Sequence, residues 1–304
     1  MTDIILYTII TLSATGVIAA IILYLVAQRF KVFEDPRIDL VEEALPAANC
    51  GGCGYPGCRN FAEACVKSDD LKGLFCPVGG NDTMAHVASI LGMEAKEQDP
   101  TVAVVRCAGS FDKRLRINYY DGPASCAIES NLYAGDTGCV YGCLGHGDCV
   151  MVCDFDAIHM NTVTGLPEVT DAKCTACGAC VEACPKHIIE LRKRNKKDRK
   201  IFVCCINEEK GGIARKSCEV ACIGCGKCVK VCPHEAITLE NYLAYIDPVK
   251  CRLCRKCVME CPTNAIHEIN FPPRKDEDSG EQEISALNGE QIKSESDLTN
   301  NADI

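Results

Sequence analysis

The longest hydrophobic segment of the chain lies at its beginning. The 24 residues from Ile4 to Ala27 include no charged side chain. About 20 apolar residues are enough for a helix to cross the hydrocarbon layer, so the pattern predicts a transmembrane helix in residues 1–28. A cleaved signal peptide is the alternative, but Asp3 precedes a run too long for one. Arg29 and Lys31 follow, which places the rest of the chain in the cytoplasm by the positive-inside rule.

Shorter hydrophobic patterns follow the predicted anchor. Glu34 to Leu45 is interpreted as a polar connector. Helical spacing of apolar residues predicts helices from Arg59 to Lys67 and from Thr83 to Glu97. Alternation of apolar and polar residues from Val102 to Tyr120 predicts strands around a turn. The segment from Pro273 to Ile304 is acidic and polar with few large apolar residues, so disorder is expected there.

Cysteine spacing dominates the second half of the chain. Three runs, which begin at Cys174, Cys222 and Cys251, share the pattern C-x2-C-x2-C-x3-C-P, which is the bacterial ferredoxin signature for [4Fe–4S] clusters. In two-cluster ferredoxins the last cysteine of each run ligates the other cluster. Structural zinc is the alternative, although zinc sites usually join two separated pairs. The two predicted cluster sites are Cys222, Cys225, Cys228 with Cys261, and Cys251, Cys254, Cys257 with Cys232.

The runs at Cys222 and Cys251 are the third and fourth in chain order, and a second, less regular pair precedes them. The first run, from Cys139 to Cys153, has insertions, and Asp154 replaces the proline that would follow its last cysteine, whereas the second run, from Cys174 to Cys184, is regular. The same crossed rule predicts two more sites, Cys139, Cys143, Cys149 with Cys184, and Cys174, Cys177, Cys180 with Cys153. An isoleucine follows the last cysteine of every run by five residues, and such repetition indicates copies of one unit. Each copy is predicted to contain a cluster loop, a short helix and a strand, and the copies pair into modules at 139–200 and 201–270.

The remaining cysteines divide into two groups. Four thiols could surround one further cluster in a small helical domain at 29–97, with zinc as the rival ligand: Cys50, Cys53, Cys58 and Cys76. Cys65 shares a helical face with Phe61 and is predicted to be a buried apolar residue. Four others flank the modules and either hold a sixth cluster or are unrelated buried thiols: Cys107, Cys126, Cys205 (or Cys204) and Cys218.

Composition narrows the class of protein. The 304 residues include 26 cysteines and no tryptophan, and local C-x2-C spacing indicates metal clusters rather than disulfides. The formal charge of −10 gives no support for nucleic-acid binding. The predicted fold class is α+β. Its predicted divisions are an anchor (1–28), a helical 4Fe-4S domain (29–97), a β-rich connecting segment (98–138), two ferredoxin-like modules (139–200 and 201–270) and an acidic disordered tail (271–304).

One basic stretch runs from Leu191 to Lys200 in this acidic protein. It is either a solvated hairpin tip between the modules or a docking patch for an acidic electron carrier, since complementary charge raises encounter rates. In the second case Lys196, Lys197 and Lys200 would guide the carrier.

The candidate chemistry is electron transfer. No catalytic triad, acid–base pair or P-loop is present, and the GxG fragments lack the setting of a dinucleotide site. Five [4Fe–4S] clusters, or six if the four flanking cysteines hold another, would therefore conduct electrons. The partners would hold the flavin, nicotinamide or terminal acceptor.

The order of motifs resembles a known family. The N-terminal anchor, the segment CGGCGYPGC…CPVGG, the ferredoxin modules and an inserted GCxxGCLGxGDC run are similar to RnfB, the iron–sulfur subunit of the Rnf complex, in its long form. The resemblance implies a subunit of a bacterial inner-membrane translocase that couples ferredoxin:NAD⁺ oxidoreduction to Na⁺ or H⁺ transport. Such a single-pass subunit would take electrons from soluble ferredoxin on the cytoplasmic side. It would pass them to the other subunits, with the Cys50 to Cys76 cluster last.

Two other functions remain open at this point. The chain could be the iron–sulfur subunit of another anaerobic membrane oxidoreductase, in which case its copurifying partners would differ. It could instead be a cluster-carrying scaffold or redox sensor, which would release its clusters or lose them to oxygen.

Overall fold

A computed structural model describes residues 2–29, 35–132 and 135–274. The described chain combines helices with short strands, in agreement with the predicted α+β class. It divides into two compact units. The first comprises Met1–Asn49 and Cys53–Glu97, and the second comprises Cys50–Gly52 and Gln98–Ile304.

The first unit contains four helices. They are α1 (Thr2–Arg29), α2 (Arg37–Ala44), α3 (Cys58–Lys67) and α4 (Gly80–Leu91). The predicted N-terminal helix is therefore present as α1. Within it, Ile9–Val26 has a mean hydropathy of 2.4 and no buried residue, and it is the one helical segment of the described chain that is long and apolar enough to cross a membrane.

Helix α2 replaces the polar connector expected from Glu34 to Leu45. The carboxylate of Asp35 accepts the backbone N–H of Arg37 at 2.9 Å and so starts the helix. Ile38, Val41 and Leu45 are buried. Their spacing of three and four residues places them on one helical face, which explains why the interpretation as a connector is wrong.

Helices α3 and α4 complete the core of the first unit. The helix predicted at Arg59 to Lys67 is confirmed as α3, and Cys65 is fully buried in the core as expected. Helix α4 ends at Leu91 rather than at Glu97. Gly92 adopts a left-handed conformation with φ of 68°, and the N–H of Met93 returns to the carbonyl of Ala88, which closes the helix end.

The second unit is built on four two-stranded antiparallel sheets. The strand pairs are β1 (Thr101–Val105) with β4 (Ile189–Lys193), β2 (Ile158–Met160) with β3 (Pro167–Val169), β5 (Lys200–Val203) with β8 (Ile266–Ile269), and β6 (Ile237–Glu240) with β7 (Leu243–Ile246). The short helices are α5 (Cys126–Leu132), α6 (Asp148–Met151), α7 (Ala179–Glu182), α8 (Gly211–Ser217), α9 (Lys227–Val231) and α10 (Lys256–Met259).

The fourfold repeat predicted from the isoleucines is present in the fold. Helices α6, α7, α9 and α10 each lead into a strand. The four strands begin at buried isoleucines, namely Ile158, Ile189, Ile237 and Ile266. Because these side chains fill the same place in each copy, the sequence repeat reflects a repeated packing unit.

The strands expected around a turn from Val102 to Tyr120 do not form a hairpin. Strand β1 pairs with β4, as β5 pairs with β8, so it completes the sheet of the first pair of cysteine runs. Beyond β1, the described residues up to 120 make only isolated bridges, from Arg114 to Cys218 and from Arg116 to Thr137. The hairpin prediction is wrong because the partner of β1 comes from a distant segment.

The two pairs of cysteine runs pack against each other. Phe202 of β5 lies in one buried cluster with Val104 of β1 and Cys204. The guanidinium of Arg192 donates to the carbonyl of Ile246 and lies 5.7 Å from the Phe202 ring. Because these contacts join strands of both pairs of runs, the two halves of the second unit pack together.

The basic stretch is a connection between β4 and β5, which belong to different sheets, and so it is not a hairpin tip. Lys200 is only 4% exposed and its ammonium lies 2.6 Å from the carboxylate of Asp171. Arg194 pairs with Asp198 at 2.6 Å. Lys196 and Lys197 remain exposed. Lys200 therefore cannot belong to an exposed docking patch, because its charge is neutralised inside the protein.

The predicted tail at 271–304 lies outside the described residues from 275 onward. Its expected disorder stays a prediction.

Phe202→Ala should destabilise the second unit by about 3–5 kcal/mol, because the side chain is 2% exposed and its removal leaves a cavity. Leu239→Ala is the matched control, since Leu239 of β6 is 40% exposed. The thermal midpoint of the anaerobically purified full chain, followed by circular dichroism, should fall clearly for the first variant and little for the second. Equal shifts would contradict the packing described here.

Candidate metal-cluster sites

All 26 cysteines lie in the described part of the chain, and none of them forms a disulfide. Their positions therefore decide which of the predicted sites the fold brings together.

The fold brings together the four thiols predicted from the third run and the end of the fourth. They line one cavity: Cys222, Cys225, Cys228 and Cys261. The backbone N–H of Ala265 donates to the Cys261 sulfur at 3.3 Å. Gly224 has φ of 64°, and a Cβ there would lie 2.6 Å from the carbonyl oxygen of Tyr242. Only glycine fits this turn, which lets the cysteine loop lie close against the β6–β7 connection.

The fourth run forms its site with a cysteine of the third. Burial and negative charge on neighbouring thiols, among them Cys251, Cys254 and Cys232, together raise the pKa of Cys257 to about 12. Helix α10 begins at Lys256 and so presents Cys257 from its first turn. The crossed arrangement predicted from spacing is thus what the fold places together.

The second run also has the predicted neighbours. Burial raises the pKa of Cys180 to about 11, and the nearby thiols of Cys174, Cys177 and Cys153 act in the same direction. The Cys153 sulfur accepts the backbone N–H of Ala157 at 3.4 Å. A cysteine that precedes Asp154 instead of proline therefore occupies the same crossing position as those of the regular runs.

The remaining site of the first run differs from the expected pairing. The thiols that line its cavity of about 350 Å³ are Cys126, Cys143, Cys149 and Cys184. Cys126 takes the place predicted for Cys139. Asp148 holds it there, because its carboxylate accepts the backbone N–H groups of Cys126 at 2.9 Å and Ala127 at 3.0 Å at the start of α5. No spacing rule singles out Asp148 or links it to Cys126.

Cys139 lies in a separate cavity of about 300 Å³. We call this the central site, and its four thiols are Cys107, Cys139, Cys205 and Cys218. Backbone hydrogen bonds bring them together: the N–H of Gly138 donates to Leu115, whose own N–H donates to Ser217. The extra residues between Cys139 and Cys143 therefore separate Cys139 from its own run. The fold thus places Cys139 with Cys107, Cys205 and Cys218, where the sequence predicts Cys126.

The choice between Cys204 and Cys205 is settled by their directions. Successive residues of an extended chain point to opposite sides. Cys204 packs with Phe202 and Val104. Cys205 packs with Cys218 and Cys222. Although both residues border the cavity, Cys205 is the one whose side chain packs among the other site thiols.

Asn207 supports the central site and was not identified from the sequence. Its side chain is fully buried. Its backbone N–H lies 3.4 Å from the Cys205 sulfur and its amide nitrogen 3.5 Å from the Cys139 sulfur. Hydrogen bonds to sulfur stabilise electron-rich clusters, so Asn207 is suited to tune such a group.

In the first unit, three of the four predicted thiols share the helical core: Cys53, Cys58 and Cys76. Burial raises the pKa of Cys76, and the neighbouring Cys53 and Cys58 would also raise it, whereas the N–H of Gly79, 3.4 Å from its sulfur, lowers it. Cys50 belongs to the segment 50–52, which is counted with the second unit. Its place beside the other three stays a prediction.

The thiol groups suit a cluster better than a single ion. In residues 2–29, 35–132 and 135–274, no group of three or more His, Cys, Asp or Glu side chains is arranged to hold one metal ion. A tetrahedral zinc would need its sulfurs about 2.3 Å from one centre. A cubane has four corner irons, so its thiolates stand further apart, and soft thiolates are its usual ligands. The donor sets and the N–H groups aimed at sulfur therefore fit [4Fe–4S] clusters.

Three family models match the chain. The model "4Fe-4S dicluster domain" matches residues 221–265, "4Fe-4S binding domain" matches 167–190, and "Putative Fe-S cluster" matches 45–72. These ranges cover parts of both pairs of runs and the first three cysteines of the N-terminal group.

Relatives extend the match over most of the chain. The subunit designated B of a Na⁺-translocating ferredoxin:NAD⁺ oxidoreductase complex from Acetobacterium woodii is 48% identical over 241 residues, which is 79% of this chain and 71% of the relative. The corresponding subunit of an ion-translocating oxidoreductase complex from Methanosarcina acetivorans is 38% identical, over 83% of this chain and 93% of the relative. A proton-translocating counterpart from Clostridium ljungdahlii is 39% identical, over 80% and 84%.

These relatives agree with the motif order that resembles Rnf. The chain therefore belongs to the RnfB family, whose members are subunits of the ion-translocating oxidoreductase (Rnf) complexes.

Proposed function

We propose that this chain is the electron-relay subunit of a membrane complex that couples electron transfer from reduced ferredoxin to NAD⁺ with ion translocation. It carries six [4Fe–4S] clusters, five of them in the second unit. Helix α1 is a single-pass anchor in the bacterial inner membrane, and the cluster-bearing units face the cytoplasm. Support comes from the names of its relatives, the thiol groups and the apolar length of α1.

The observation that carries this proposal is the order of the five thiol sites in the second unit. Cys143 and Cys149 lie in one buried cluster. Cys180 of the next site and Cys107 of the central site both pack against that cluster. The sites at Cys180, Cys149 and Cys107 are therefore successive neighbours.

The same series continues through the other pair of runs. Cys205 of the central site lies in one buried cluster with Cys222 and Cys228 of the third run and with Cys257 of the fourth. This cluster links the central site to the last two sites. All five sites form an unbroken series, and the central site joins its two halves.

A series of neighbouring clusters suits charge transfer and little else. Electron transfer slows steeply with distance, so a gap at the central site would isolate the two pairs of runs. A scaffold that releases clusters would not need buried sites arranged in sequence. The alternative of another membrane oxidoreductase is disfavoured because the relatives are named as subunits of ion-translocating complexes.

When bound, each cluster would accept and release one electron at low potential. The residues of this chain would hold it and set that potential. Cysteine thiolates would bind the irons, and Asn207 and the backbone N–H groups of Ala157 and Ala265 donate to sulfur. Most of these thiols are buried or partly buried, which limits access of water, whereas Cys225 and Cys254 are exposed. In the first unit, the group at Cys53, Cys58 and Cys76 follows the anchor in the chain. We therefore assign it, with Cys50, the last transfer to membrane partners.

Iron counting on double variants tests the assignment of the central site. The unaltered chain should bind about 24 irons, four for each cluster. The double variant Cys139→Ala/Cys218→Ala should bind about 20, because both residues belong to one site. Cys126→Ala/Cys218→Ala should bind about 16, because these thiols line two different cavities. The reverse ranking would support the pairing expected from spacing alone.

Two adjacent cysteines provide a matched test of the relay. Cys205→Ala should remove the central cluster and lower ferredoxin:NAD⁺ oxidoreductase activity of the assembled complex by at least about tenfold, since the series is interrupted. Cys204→Ala changes a thiol that packs beside Phe202 and should leave most activity. Full activity of the Cys205 variant with about four irons missing would show that electrons bypass the central site.

A further inference from the structure

Arg114 is a buried cation that lies between two of the thiol sites. Its backbone forms an antiparallel bridge with Cys218 of the central site. Its guanidinium donates to the carbonyl oxygen of Cys143, which belongs to the neighbouring site. The residue is only 7% exposed. One residue therefore contacts the walls of two successive positions in the proposed series, one through its backbone and the other through its side chain.

The charge of Arg114 has no acidic partner among residues 35–132 and 135–274. Its Nε–H group is buried and has no hydrogen-bond acceptor in these residues. The guanidinium carbon lies 5.4 Å from the centre of the Phe111 ring. Two other arginines of this unit differ. Arg192, which is buried, and Arg106, which is partly buried, both pair with Glu190, at 2.8 and 3.3 Å. An unpaired buried charge is costly unless a further negative group balances it.

A thiolate-ligated cubane is such a group. Four thiolates carry more negative charge than the iron–sulfur core carries positive charge, so the cluster is an anion that becomes more negative on reduction. Arg114 lies beside both sites, because its backbone bridges to Cys218 and its guanidinium donates to the carbonyl oxygen of Cys143. The sulfurs on either side thus feel the same positive charge.

We infer that Arg114 is a positioning residue whose charge favours the reduced state of both the central cluster and its Cys126–Cys184 neighbour. This inference rests on the proposed function. The step is the addition of one electron from reduced ferredoxin to a cluster, with no bond made or broken and no proton moved. Because the arginine lies beside both sites, its charge raises both reduction potentials.

Anaerobic redox titration of the full chain, followed by electron paramagnetic resonance, tests the role of the charge. Arg114→Gln keeps an N–H donor for the Cys143 carbonyl but removes the charge, whereas Arg114→Lys keeps the charge. The glutamine variant should make reduction of two clusters about tenfold less favourable, a shift of about 59 mV to lower potential for a one-electron couple. The lysine variant should stay closer to the unaltered chain.

Arg116 is the matched control. It lies two residues further along, its side chain is 62% exposed, and it pairs with Asp136 at 2.9 Å. Arg116→Gln should leave every midpoint potential unchanged, because solvent screens its charge. Iron content is measured on each variant. Loss of iron from the glutamine variant alone would also support a need for the charge.

Three results would overturn the inference. They are unchanged potentials in an iron-replete Arg114→Gln chain, equal shifts in the glutamine and lysine variants, and equal iron loss in both, which would indicate a purely structural role. Failure of the proposed function looks different. In that case the unaltered chain itself would show no clusters that dithionite reduces and reoxidation restores.

Discussion

The burial of cysteine thiols around small cavities is the constraint on which the second unit depends. Burial raises the pKa of these thiols, to about 12 for Cys149 and Cys257, so water-excluded sites resist holding several thiolates without a cation. The interior has few large side chains to compensate, since aromatic residues are 6% of the chain and tryptophan is absent. Folding and cluster binding are therefore linked, and the metal supplies stability that a larger hydrophobic core would otherwise provide.

The same constraint explains the polar groups placed beside the thiols. Asn207 and several backbone N–H groups point at sulfur atoms. Asp148 uses its carboxylate to fix the start of α5 rather than to bind metal. The role of such residues depends on where the fold places them, so no spacing pattern in the sequence identifies them. They determine how strongly each cluster holds its electron, which is the property that distinguishes one relay from another.

The regular cysteine runs could be assigned from the sequence because their ligands are local or follow one crossing rule. Cys261 and Cys232 were placed correctly for this reason. Cys126 and Cys139 were exchanged, because their sites depend on backbone contacts of residues 114–115 with 217–218, which are about a hundred residues apart. The sequence also concealed α2, whose three apolar side chains are scattered among charges, and the pairing of β1 with a strand more than eighty residues away.

The origin of the central thiols has a consequence for biosynthesis. Cys107 and Cys139 precede the second run, whereas Cys205 and Cys218 follow it. A ribosome finishes every cysteine of the Cys126–Cys184 group before it reaches Cys205. The first two sites can thus close on a nascent chain, while the connecting one must wait for later residues.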